Sequence, residues 1–175
     1  MLVRALLFVV VPIVTACVTT GTTAPSALSV QAPAGPWQFV AERPRAPIKP
    51  VVDGPFAIVR FDQIAFKQLL RDAPLETGPG GVSAGVVVSL PLPDYTFARV
   101  RVVESPILAP ELAAAFPAIK TYVGQGVDDR TITVRLGWTP DGFHALLLGV
   151  GGEIYIDPYT PGDLEYCITV RKVKF

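Results

Sequence analysis

Histidine and cysteine are almost missing from this chain, and so is any excess of charge. Its 175 residues include one His and two Cys, and 15 Lys+Arg balance 15 Asp+Glu for a formal net charge of zero. A zinc site built from nitrogen and sulfur ligands takes three or four of them, and Cys17, His144 and Cys167 are all that the chain has, far apart in sequence. Two cysteines also exclude the disulfide framework of small secreted domains. Zero net charge gives no long-range field to attract a phosphate backbone, which argues against nucleic acid as a partner. Also missing are G-x-x-x-x-G-K-[ST], a G-x-G-x-x-G after a strand, G-x-S-x-G and H-E-x-x-H. The run from Val123 to Asp128 contains G-x-G alone. No cofactor is implied, and the length argues for one domain.

What the chain has in quantity is apolar surface and proline: half of it is hydrophobic, mean hydropathy is +0.45, and there are 18 prolines. Arg4 supplies one positive charge, Ala5 to Val14 is an unbroken apolar run, and Val14-Thr15-Ala16-Cys17 follows. An apolar helix of this length spans about 15 Å, too short to cross a bilayer. The layout is that of a secretory signal, and its end resembles the bacterial lipobox. That resemblance implies that residues 1–16 are removed and that Cys17 becomes a lipidated first residue. At about 0.8 kcal/mol per buried CH₂, two or three acyl chains anchor a protein stably in a lipid bilayer. Val18 rather than Asp after the Cys implies outer-membrane sorting.

Residues 17–55 carry no sustained periodicity. Thr19, Thr20, Thr22, Thr23, Ser26 and Ser29 are interleaved with prolines from Pro25 to Pro55. Proline at that density removes backbone donors and favours extended chain, so the stretch reads as a lipid-attached, semi-rigid tether. Trp37, Phe39 and Val40 are apolar enough either to dock as a first strand or to stay as sticky linker residues.

From Phe56 to Phe175 the pattern is mostly period two. It runs through Phe56, Ile58 and Arg60; Val86 and Val88; Ile132, Val134 and Leu136; Phe143, Ala145 and Leu147; Ile154 and Ile156; and Tyr166, Ile168 and Val170. Pro91–Asp94, Thr139–Gly142, Gly149–Gly152 and Thr160–Asp163 separate these runs as turns. The expected fold is mainly β, an antiparallel sandwich or strongly curved sheet with two short helices. Asp62 caps the first helix, with Phe66, Leu69 and Leu70 on one face and Pro74 beyond its end. The second opens on Pro110 and Glu111 and stops before Pro117. Gly78–Gly81 reads as a loop.

Few residues carry chemistry. His144 lies on the strand face opposite Phe143 and reads as a surface histidine held by a hydrogen bond, since sequence places no nucleophile beside it. Asp128, Asp129 and Asp157 are oxygen donors without EF-hand spacing, and Asp128-Asp129 reads as a solvated turn. Cys167 is the remaining thiol once Cys17 is acylated, and is buried, paired between molecules, or a soft ligand.

Residues 56–172 resemble the N-terminal prodomain-like region of bacterial reprolysin-like, metzincin-type zinc metallopeptidases. The resemblance is carried by Glu104-Ser-Pro106, Ala109-Pro110-Glu111-Leu112, Tyr122 to Asp129 with Gly124, Gly126, Asp128 and Asp129, Gly142-Phe143-His144, and Tyr155-Ile-Asp157-Pro158-Tyr159. In that family a catalytic domain with H-E-x-x-H-x-x-G-x-x-H follows, and this sequence holds no such motif. The resemblance therefore implies a non-catalytic lipoprotein, not an enzyme, that binds, inhibits or helps to fold a zinc metallopeptidase in trans, or is a remnant of one. By the same resemblance Cys167 is a candidate thiol switch filling an open zinc position. The alternative is a surface-displayed adhesion or scaffolding module without a peptidase partner.

Overall fold

The computed structural model describes residues 35–41, 54–149 and 151–172. Nine strands form one wholly antiparallel sheet: β1 (Trp37–Phe39), β2 (Phe56–Phe61), β3 (Val86–Pro91), β4 (Phe97–Glu104), β5 (Thr121–Gly126), β6 (Thr133–Thr139), β7 (Gly142–Leu148), β8 (Glu153–Pro158) and β9 (Tyr166–Lys172). Their order is β1-β2-β9-β8-β7-β6-β5-β4-β3. β3 to β9 thus form an up-and-down meander, and the N-terminal strands add to the outer edge of β9. The sheet curls into a nearly closed barrel: Thr169 on β9 donates to the Pro91 carbonyl at the end of β3, and Phe39 on β1 packs against Tyr95 and Phe97 at the β3–β4 turn. Of the two architectures expected, the curved single sheet is the one formed.

Period-two patterning places one residue set from every strand in a common interior. Val59, Leu90, Val100, Val134, Leu147, Ile154 and Cys167 belong to one buried cluster to which all nine strands contribute. At one end the cluster is aromatic. Trp37 stacks on Phe61 at 4.0 Å, and Phe143 lies 4.9 Å from Phe61 and 5.1 Å from Trp138. Helix α1 (Gln63–Leu69) closes that end by inserting Phe66, which is fully buried, into the same group. Its N-cap forms as the sequence predicts, with Asp62 Oδ1 accepting from the Ala65 N–H at 2.9 Å. Leu69 departs from expectation: Phe66 and Leu70 are buried, but Leu69 is 48 % exposed. The helix is short, and the apolar side chains it buries against the barrel are Phe66 and, at its C-cap, Leu70.

β2 and β9 also depart from simple alternation. Their interior residues are Val59, Phe61 and Cys167, out of phase with Phe56, Ile58, Tyr166, Ile168 and Val170. The latter pack on the outer face around buried Tyr159, with Val40. Ile58 and Ile168 on the outer face are nearly as buried as Val59 and Cys167 on the inner one, so alternation alone cannot say which face is the core. Among the residues expected as a tether, Trp37–Phe39 forms β1 by pairing with Val59–Phe61. Gly78–Gly80 is a loop as expected, but Gly81 opens a single 3₁₀ turn, Gly81–Ala84. The second helix, α2 (Pro110–Ala115), has Pro at its first position and no buried residue.

Candidate functional site

Because side chains fill the interior, the concave features lie on the outer surface. The larger is a cleft of about 690 Å³ beside β1 and α1, lined by Trp37, Arg60, Gln63, Lys67 and Glu165. Its ionic groups are engaged: Arg60 pairs with Glu165 at 2.9 Å, and Lys67 Nζ sits 5.0 Å from the Trp138 ring centroid. Gln63 joins α1 to the barrel, donating to the Leu164 carbonyl at 2.8 Å and accepting from the Trp138 indole at 3.1 Å.

The second is a groove of about 320 Å³ across the outer faces of β5 to β8. Its floor follows from strand register. Val123, Arg135, Leu146 and Tyr155 lie side by side across it in one transverse row that continues beyond the groove to Val103 on one side and to Val170 and Phe56 on the other, and Arg135 is the sole charged residue of that row. A neighbouring row brings Thr121, Gly137 and His144 together. Ile107 and Ile119, from the segment joining β4 to β5, wall the groove.

His144 and Asp157 meet on this face, with Nδ1 2.8 Å from Oδ1. That contact leaves Nε2 as the ring's remaining polar atom. Tyr155 donates to Glu153 at 3.0 Å, and this hydrogen bond raises its phenol pKa above the ordinary 10.0. The Tyr122 hydroxyl is also pushed up, first by burial and then by the Glu104 charge. The nearby hydroxyls are committed as donors, Thr121 to the Ser105 carbonyl at 2.6 Å and Ser105 to Glu76 at 2.6 Å. The face therefore offers an oriented imidazole, a carboxylate, a guanidinium and apolar walls, an arrangement suited to holding a ligand.

The structure does not gather the remaining sequence candidates into one site. Glu104 ends β4 and pairs with Lys120; Pro106, Pro110 and Glu111 are exposed on the β4–β5 segment. Gly124 and Gly126 lie on β5 where a Cβ would meet the Arg101 and Asp129 carbonyl oxygens at 2.2 and 2.1 Å. Asp128 pairs with Arg99, whose hydrogen bonds hold its carboxyl below the ordinary range. Asp129 accepts from the Thr131 amide at 2.9 Å and hydroxyl at 2.7 Å, which lowers its pKa in the same way. These two acids form the solvated turn expected of them. Gly142 has φ of +125°, and a Cβ there would meet Pro158 at 2.7 Å. Phe143 and Tyr159 are buried.

Cys167 is 1 % exposed, and burial drives its thiol pKa far above the ordinary 9.0, with Asp163 and Asp157 adding to the rise. A thiol held protonated in this way is a poor nucleophile and metal ligand. Among the described residues no three His, Cys, Asp or Glu side chains group to hold a metal, and no helix is long and apolar enough to cross a membrane. The expected leader, residues 1–16, and Cys17 lie outside the described residues.

Arg135 was not among the sequence candidates. Its alternation in Thr133-Val-Arg-Leu marks it as outward-facing, but the apolar neighbours that isolate it come from other strands. Compared with protein-family models, curated proteins and solved structures, the chain matches none.

Proposed function

We propose that this chain is a non-catalytic binding module of the bacterial cell envelope, anchored through lipidated Cys17 and sorted to the outer membrane. Its partner on this reading is the catalytic domain of a zinc metallopeptidase, which it inhibits or helps to fold in trans. The observation that supports a binding role is the segment between β4 and β5. There Ile107, Leu112 and Phe116 are 66, 50 and 54 % exposed, on a stretch with no residue buried from Ser105 to Lys120. Large apolar side chains left in water on one segment, of which Ile107 walls the β5–β8 groove, are characteristic of docking surfaces. The metallopeptidase as partner rests on the sequence resemblance alone.

The test mixes purified residues 18–175 with a metzincin from the same organism. Co-elution and slowed peptide hydrolysis are expected, and both should be lost in the Leu112→Glu/Phe116→Glu variant. Neither co-elution nor slowing would replace this reading with the adhesion or scaffolding module. The anchor is tested separately. Cys17→Ala should move the protein from the membrane pellet to the soluble fraction, and retention in the pellet would remove lipidation from the proposal.

A further inference from the structure

We infer that the β5–β8 groove is a recognition site for an extended peptide segment in which an apolar side chain adjoins a carboxylate, with Arg135 as the carboxylate receptor. This deepens the partner-binding reading above and rests on it.

The argument begins with the charge on this face. Neighbouring cations are satisfied: Arg99 by Asp128, Lys120 by Glu104, and Arg101 through a 3.0 Å hydrogen bond to the Gly85 carbonyl. Arg135 is exposed and its guanidinium has no ion-pair or hydrogen-bond partner among the described residues. Its neighbours across the strands are Val123 on one side and Leu146 on the other, so no acid from its own sheet row reaches it. Asp157 lines the same groove but is held by His144 at 2.8 Å.

A guanidinium flanked by apolar side chains loses part of its hydration when a ligand covers it, and gains most from a bidentate carboxylate. The apolar walls at Ile107, Ile119 and Leu146 require that the same ligand carry an aliphatic or aromatic group next to that carboxylate. At about 320 Å³ the groove is near the small end of ligand pockets, which run from about 300 to 1,000 Å³. It is sized for a side chain or two. A partner that is itself a folded domain would bring such a segment as a surface loop, so the carboxylate is that of Asp or Glu.

The probe is a fluorescent, end-blocked Gly-Leu-Glu-Leu-Gly peptide, titrated by anisotropy against the full chain in detergent micelles. Saturable binding is expected, weakened about tenfold or more by Arg135→Gln and partly restored by Arg135→Lys. Replacing the peptide's Glu by Gln should cost the same factor on the native chain and nothing further on Arg135→Gln. Arg130→Gln removes an exposed cation away from the groove and should change nothing.

Equal binding by Arg135→Gln would overturn the assignment, and so would equal losses with Arg130→Gln, which would mean unspecific charge attraction. Displacement of the peptide by decanoate at similar concentration would overturn the peptide as the ligand class. The two readings fail separately. If Arg135→Gln leaves peptide binding intact while Leu112→Glu/Phe116→Glu still abolishes peptidase capture, the groove assignment falls and the partner reading stands. If the peptide binds through Arg135 and no peptidase is captured, the reverse holds.

Discussion

The α1 end of the barrel and the segment between β4 and β5 are both rich in large apolar residues, yet their exposure is opposite. At the barrel end Trp37, Phe61, Phe66, Trp138 and Phe143 are each at most 5 % exposed and touch one another in stacked and edge-on pairs. Between β4 and β5, Ile107, Leu112 and Phe116 stand in water. Each aromatic at the barrel end belongs to an element whose pairing or capping points it inward. Helix α2 has one turn and a half, no side-chain cap and no buried residue, and its Leu112 stays 50 % exposed. Apolar content thus stabilises the fold in one place and is left free for another surface in the other.

The comparison is broken most severely at the barrel end. Phe143→Ala should cost about 3–5 kcal/mol, read as a lower urea midpoint, because four aromatic neighbours would line the resulting cavity. A smaller cost would mean that this cluster packs loosely.

The desolvation of the interior is read through Cys167. Its folded pKa lies above the unfolded value near 9.0, so the buried neutral thiol contributes its full stability below pH 9. That contribution is lost as the pH rises from there toward the folded pKa, by at most about 1.4 kcal/mol per pH unit. Between pH 8 and 10 the native chain should therefore lose more stability than Cys167→Ala. Parallel curves for the two would show that the thiol reaches solvent. Tyr122 and Tyr155, also shifted upward, are common to both proteins and cancel in the comparison.

The smallest effect is expected on the β4–β5 segment, where Leu112→Glu/Phe116→Glu should change stability by no more than about 0.5 kcal/mol per site. A larger loss would show that these side chains belong to the core after all, and would remove the basis for reading them as a docking surface.

Much of this architecture was legible in the residues. Proline, glycine and aspartate between alternating runs mark the hairpins because those residues fit tight turns. At the β3–β4 turn, Asp94 accepts from both the amide and the hydroxyl of Thr96. Asp62 and Pro110 mark both helix starts for equally local reasons. The phase of β2 and β9 was not legible, because Ile58 and Ile168 on the outer face are nearly as buried as Val59 and Cys167 inside, and in β9 the polar Thr169 is on the inner phase. Nor was the groove: His144 and Asp157 are 13 residues apart in sequence and meet only because β7 and β8 pair, and Arg135 is isolated by residues that β5 and β7 bring beside it.

Local chemistry in the sequence determined that there would be short strands, tight turns and two short helices, since each depends on residues within a few positions. Which apolar residues became core and which stayed exposed was decided by the tertiary structure. So was Arg135, whose side chain is left unpaired on an apolar row among the described residues. Burial and pairing are properties of neighbours, and in a curled antiparallel sheet the neighbours are set by register and closure rather than by distance along the chain.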